Sequence, residues 1–330
     1  GATGHGEVSS TYGQYDLCGF PKAAAQWYRT QWLLTINNSR TDKTFPTTHD
    51  EVYIIESWES PDAFPSTKGN TTRAIHVYTS ARWVELYANG VSQGVRPVRP
   101  MVEGPGSHAE WTAVPWHAGN LTAVARASGT PGAGRALATA VVHTNGVATA
   151  LALGIDAPHA LTGTGSAVVL DGHDAALIRA SVVDEHGRVM HLATHNVSFR
   201  IVSGPAFVQG TGNGDPHARG NNAAPGHPAY HGLVRAVIRV TSVAARPAGE
   251  RALLGRVDRD GPMAPLGARR AGDHVAHALA TGDIVVEASS PGLASVRITI
   301  PTSTDAAADG VYASAIKYAG KEVVFEPSQA

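Results

Sequence analysis

Along the chain, the spacing of apolar and polar positions predicts one helix near the start and then a long series of strands. Residues 1–19 hold no sustained period and read as loop with one short extended piece. From Pro21 to Leu34 the pattern is helical: Phe20, Ala24, Trp27, Gln31 and Leu34 fall on one stripe, which Tyr28 and Trp32 widen. Pro21 suits a first helical turn, where its missing N–H would be unpaired anyway, and Ala23, Ala24 and Ala25 favour helix. A helix bearing two Trp and a Tyr on about three turns needs a large apolar partner surface. No second helix of that kind follows.

After residue 50 the period becomes two. Strands are predicted at Val52–Trp58, Ala74–Thr79, Trp83–Ala88, Ala109–Val114, Leu121–Ala127 and Leu137–Thr144. Asn89-Gly90 marks a hairpin, because both residues accept the positive φ of a type I′ turn. Asn145-Gly146 is the next boundary. Beyond it, strands are expected near 148–155, 166–170, 175–184, 196–202, 233–241, 283–288 and 294–300, with a turn at Asp184–Gly187. Residues 244–282 are rich in Ala, Arg, Gly and Pro without period and read as a surface insertion. The tail after Thr302 is loop with one late strand candidate at Glu322–Phe325.

Composition sharpens this picture. The chain has 330 residues, enough for two or three domains, and 43% of them are hydrophobic, so each domain can bury a core. Gly 36 and Pro 20 suit many strands joined by tight turns. A net charge of -1 with 16% charged residues argues against nucleic-acid and acidic-membrane partners, which need a clustered basic face. No apolar window is long enough to span a membrane. The small, polar residues Gly1 to Gly6 do not read as a signal peptide, so the start is expected to follow processing or to lie inside a longer product. Cys18 is the one cysteine, so no disulfide forms within the chain. Four N-x-[ST] sequons, at Asn37, Asn70, Asn120 and Asn196, lie beside turn or strand-edge sequence and point to a secreted glycoprotein.

Candidate chemistry is sparse. Glu56 and Glu59 flank Trp58 and read as a solvated strand edge rather than a carboxylate pair on a sugar platform. Gly210–Gly214 has the look of a phosphate loop but opens no helix, so it reads as a turn with several positive-φ residues. Among the 16 His, the groups His186/His191/His195 and His217/His227/His231 (the latter in one loop with Asp215) could bind a metal; solvated loop histidines are the default, and no metal site or cofactor is assigned. Asn213, Asp215 and His217 are the candidate ligand or interdomain contacts, beside their ordinary role in stabilising turns.

Several segments resemble one family. Ser9-Ser10-Thr11-Tyr12-Gly13 and Asp16-Leu17-Cys18-Gly19-Phe20-Pro21-Lys22, with the aromatic helix after them, resemble the end of the catalytic barrel in glycoside hydrolase family 2. Ile54–Trp58, Val84–Gly94 and Glu110–Ala125 resemble the immunoglobulin-like module that follows that barrel in β-galactosidase-like members. Asp171–Asp174, Val183–Gly187, Gly210–Pro216 and Ser289–Leu293 resemble the last β-sandwich of the family. The chain departs from the pattern at Ala23, often Asp in the family, at His217–Gly220, where a His-Glu pair is common, and in the 244–282 insertion.

The resemblance implies a mainly β chain: two immunoglobulin-like β-sandwich domains preceded by the last helix of a (β/α)8 barrel. Residues 1–45 are then a barrel remnant, 46–145 the first sandwich, 146–302 the second with its insertion, and 303–330 a tail. A retaining glycosidase uses two carboxyl groups about 5–5.5 Å apart, and in this family they lie on strands before the final helix. The chain is therefore expected to hold no catalytic residue. Phe20, Trp27, Tyr28 and Trp32 would face the missing catalytic barrel, from the same precursor or a separate chain. The expected function is that of a non-catalytic C-terminal part of a secreted β-galactosidase-like enzyme, with a glycan as a possible ligand. The alternative is an extracellular carbohydrate-binding or structural module without catalysis.

Overall fold

The structure, a computed structural model, describes residues 12–38, 50–156, 167–170, 172, 174–241 and 282–303. The expected insertion (but for Gly282), the late strand at Glu322–Phe325, Asp171 and His173 lie outside the described residues. Two compact units are present, one spanning Tyr12–Gly146 and the other beginning at Val147.

The first unit opens with helix α1 (Ala23–Asn38) and continues with strands β1 (Val52–Ile54), β2 (Thr72–Thr79), β3 (Trp83–Ala88), β4 (Val91–Pro97), β5 (Ala109–Pro115), β6 (Asn120–Arg126) and β7 (Ala136–His143). The strands make two antiparallel sheets, ordered β1-β2-β5 and β4-β3-β6-β7. The chain changes sheet between β2 and β3 and again between β4 and β5 and between β5 and β6, as sandwich connections do. Alternate residues point inward, so Ile75 and Val77 of β2 share a core with Val84 and Leu86 of β3 and Leu121 and Ala123 of β6. Trp58 is completely buried in that core, and its indole N–H donates to the His117 carbonyl at 3.0 Å. The hairpin between β3 and β4 turns on Asn89 at φ 48° and Gly90 at φ 81°, the left-handed pair that its sequence predicts.

Glu85 is the one acidic side chain of this unit whose burial is nearly complete, at 1% exposure, among the described residues. Burial pushes its pKa up, but hydrogen bonds from Tyr87, Ser92 and the Gly132 N–H, together with the charge of Arg126, outweigh that and hold the carboxyl below its ordinary range. The contacts are close: Ser92 Oγ donates at 2.7 Å, Gly132 N at 3.1 Å and Arg126 Nε at 3.2 Å.

Helix α1 belongs to the same unit. Leu34 joins the sandwich core. Gln31 is buried, and its Nε2 donates to the Ser107 carbonyl at 3.0 Å. Arg29 makes a bidentate pair with Glu51, both contacts at 2.6 Å.

The second unit contains β8 (Ala148–Ile155), β9 (Val168–Val169), β10 (Ala175–Asp184), β11 (Asn196–Ser203), β12 (Ala206–Gly212), β13 (Gly226–Pro228), β14 (Leu233–Val240), β15 (Ile284–Ser289), β16 (Val296–Ile300) and β17 (Thr302–Ser303). Two four-stranded antiparallel sheets, β12-β14-β10-β8 and β13-β11-β15-β16, are present beside a separate, short parallel β17-β9 pair. Ile178, Val182, Val234 and Ile238 of one sheet share a core with Phe199 and Val286 of the other. On the outer side of the second sheet Arg200, Glu287 and Arg297 stand opposite one another across three strands, Glu287 receiving Arg200 at 2.8 Å and Arg297 at 2.6 Å.

The chain is thus mainly β, as its period-two pattern predicts, with several local differences. The strand expected over 52–58 stops at Ile54, because the following residues turn to bury Trp58 and to bring Glu56 to β2. The strand expected near 166–170 is two residues long. Strands β4, β12 and β13 carry too little apolar alternation to be seen in advance. Gly210 and Gly212 are not turn residues: they end β12, where the register slips between Val208 and Gly210, and only Gly214 of that run has a positive φ. A Cβ on Gly210 would stand 2.5 Å from the Asn222 carbonyl oxygen, so the close approach of that loop is what requires glycine.

Two outcomes are expected of the first unit. Glu85→Ala leaves Arg126 without its buried partner and lowers unfolding free energy by about 3 kcal/mol in chemical denaturation. Because the Glu85 pKa is lower folded than unfolded, its contribution is complete above the unfolded value and is lost as pH falls through the folded one; acid titration of wild type should therefore lose a stability increment that Glu85→Ala does not. Gly90→Ala costs about 1 kcal/mol through the left-handed backbone, read as a lower calorimetric midpoint.

Candidate functional site

The segment before α1 is built by Asp16. Its Oδ1 accepts the N–H of Cys18 at 2.8 Å and of Phe20 at 2.9 Å, while Gly19 takes φ 78°. The Asp-Leu-Cys-Gly-Phe-Pro run is thus a closed loop that buries Phe20 and starts the helix two residues after Pro21.

The helix then presents two different sides. Thr30, Gln31 and Leu34 are buried, and Trp27 is half-buried. Ala24, expected on the same stripe, is exposed. Tyr28 and Trp32, one turn apart, stand on the open side with ring centroids 6.0 Å apart, and Trp32 is 62% exposed. Tyr12, Tyr15 and Leu17 of the preceding loop are exposed as well. Of the four residues expected to form one interface, Phe20 is therefore spent inside the unit, Trp27 is shared and Tyr28 with Trp32 remain open. Helical spacing locates the aromatic stripe; it does not say which side of the stripe the chain itself covers.

Asn213, Asp215 and His217 are brought together as successive turns. Asn213 is buried, donates to the Pro228 carbonyl at 2.9 Å and accepts the Asp215 N–H at 3.0 Å. Asp215 accepts the His217 N–H at 2.9 Å, and its Oδ1 lies 3.3 Å from the His217 ring nitrogen. Asn213 faces the backbone, whereas the His217 side chain is 60% exposed. Asn70, Asn120 and Asn196 are all at exposed positions, and Asn120 Oδ1 lies 2.6 Å from His143 Nδ1. Asn37 falls in the last turn of α1, and Ser39 of its sequon lies outside the described residues.

The two acids beside Trp58 are not a solvated edge. Glu59 Oε1 accepts the Asn145 N–H at 3.3 Å, and Glu56 uses both oxygens on His76. Trp58, with no exposed surface, offers no platform to a sugar. Among the described residues, neither His186/His191/His195 nor His217/His227/His231 brings three ligand atoms together; His76, His108 and Glu110 do, within 4.8 Å of one another. Sequence reasoning missed this set because His76 lies more than thirty residues from His108 and Glu110 and meets them only through pairing of β2 with β5.

Comparisons with known proteins agree with this architecture. Residues 160–246 match the glycoside hydrolase family 2 C-terminal domain 5, and residues 70–133 match a domain of unknown function (DUF4982). Over 208 residues the chain is 30% identical to the β-galactosidase BoGH2A of Bacteroides ovatus, covering 63% of this chain and 20% of that protein. The fold is similar to that of a β-glycosidase from Bacteroides vulgatus, with TM-score 0.62, 18% identity, and coverage of 90% of this chain and 28% of the other. It is also similar to a glycosyl hydrolase family 2 member from Bacteroides cellulosilyticus, with TM-score 0.60, 20% identity, and coverage of 88% and 32%. The chain spans 20% of the curated relative that it matches, and no described helix is long and apolar enough to cross a membrane. Together these likenesses support a C-terminal region similar to those of glycoside hydrolase family 2, β-galactosidase-like proteins.

Proposed function

We propose that the chain is the non-catalytic C-terminal part of a secreted β-galactosidase-like glycosidase, in which it braces the catalytic barrel and shapes the rim of the substrate cleft. The observation that carries this reading is the open aromatic side of α1. A helix already anchored by Leu34, Gln31 and Arg29 still turns Trp32 and Tyr28 to solvent. Large aromatics at neighbouring positions on a rigid element are the usual anchors of an interface. In this reading residues 1–45 are the end of the barrel, 46–145 and 146–302 are the two accessory sandwiches, and the barrel supplies both carboxyl groups of the retaining route.

The loop of Asp215 and His217 is the place where the second sandwich would touch a glycan or a neighbouring domain, since His217 is the member of the set that reaches outward. Secretion and glycosylation at Asn37, Asn70, Asn120 and Asn196 belong to the same reading, supported by the exposed positions of the last three.

The test compares the chain alone with the parent polypeptide. In the chain alone, the double substitution Tyr28→Ala with Trp32→Ala leaves unfolding free energy within about 0.5 kcal/mol, as for other surface changes. In the parent it loosens the barrel by about 2 kcal/mol or more, the scale of an aromatic hot spot, and lowers hydrolysis of an aryl β-galactoside. Equal effects in the two settings would remove the interface. The chain alone is expected to show no turnover of that substrate; turnover would place the reacting acids within these residues.

A further inference from the structure

We propose that His76, His108 and Glu110 form a zinc-binding site on the outward face of the three-stranded sheet of the first unit, with Glu56 as the residue that positions His76. The sheet register creates the site. β2 and β5 run antiparallel and pair His76 directly with Glu110. His108 stands two residues before Glu110, just ahead of β5, and its exposed side chain lies beside the His76 ring.

The distances suit a metal. His76 Nε2 lies 3.7 Å from Glu110 Oε1, and the two imidazole centroids are 5.3 Å apart. One ligand atom from each of the three residues falls within 4.8 Å of the others. Tetrahedral zinc with bonds of about 2.0–2.2 Å holds its ligand atoms roughly 3.3–3.5 Å apart. Small rotations of His108 and Glu110, both exposed, close the remaining gap.

Glu56 supplies what separates a ligand set from a chance cluster. Its Oε2 accepts the His76 backbone N–H at 2.8 Å, and its Oε1 lies 2.6 Å from His76 Nδ1. A carboxylate only accepts, so the proton of neutral His76 sits on Nδ1 and the Nε2 lone pair points toward Glu110. Carboxylate, imidazole and metal in that order is the outer-shell arrangement that fixes ring orientation and raises ligand basicity. Tyr78 meets the His108 ring edge-on, 6.0 Å between centroids, and so restrains the second imidazole. Two imidazoles and one carboxylate suit zinc better than calcium or magnesium, and three protein ligands leave one position to solvent. The other cluster of this kind among the described residues, Asp184 with Glu185 and His186, comes from consecutive residues of one turn, and its buried carboxylate is already held by Arg188 at 2.6 Å.

Zinc alone, titrated calorimetrically into the whole chain, is expected to bind in one saturable step. His108→Ala and Glu110→Gln change exposed side chains, so they test the site without testing the fold, and each is expected to weaken that step more than Glu56→Gln does. Glu56→Gln keeps all three ligands and is expected to weaken binding about 10–100-fold while the visible absorption of bound cobalt(II) keeps the wild-type band positions. A purely structural Glu56 would lower the unfolding temperature of the metal-free chain and leave zinc affinity unchanged. Retention of wild-type affinity and stoichiometry in His108→Ala and Glu110→Gln would place the metal among the other histidines and overturn the assignment, as would the absence of saturable binding in the wild type.

Discussion

Each unit of this chain stands on the burial of one sheet face against another. A sheet with alternating apolar residues cannot leave its inner face in water, and the cores around Trp58 and around Ile178 and Phe199 form where two such faces meet. Trp58 shows how specific that requirement is. Its side chain fills the space between sheets, its N–H is spent on the His117 carbonyl, and its own carbonyl accepts Thr144 Oγ1 at 2.8 Å. One buried aromatic thus ties the segment after β1 to the loop after β5 and to the end of β7.

With the inner faces committed, the outer faces and added elements are free for other work. The outer face of β2 and β5 gathers His76, His108, Glu110 and Glu56, and the outer side of α1 gathers Tyr28 and Trp32. Neither feature is demanded by the sandwich. Exposed Trp32 lies outside the sandwich core, and a Glu-His pair reinforced by a second His and a second Glu exceeds what strand pairing needs. The loop of Asn213, Asp215 and His217 differs: most of its polar groups are used on its own backbone, which explains the run by turn chemistry. The same holds for Asp16, whose carboxylate closes the loop that leads into α1.

Much of this was legible in the sequence. Local alternation located β2, β3, β5 and β6 closely, and Asn89-Gly90 announced its hairpin, since period and turn chemistry are properties of neighbouring residues. The order of family-like segments gave the C-terminal character of the chain. What could not be read was set by contacts between distant residues. Strand β4 has a polar outer face and β12 is interrupted by glycine, so neither shows an apolar period, yet both are held by partners already in place.

The sequence by itself determined the mainly β class, the single aromatic helix and the turns, because each depends on the intrinsic preference of a short segment. Only the tertiary structure decided which side of that helix is covered, that Glu56 serves His76 rather than water, and that His76 meets Glu110 and His108. Those outcomes depend on sheet register, which a one-residue shift would abolish by moving every side chain to the opposite face.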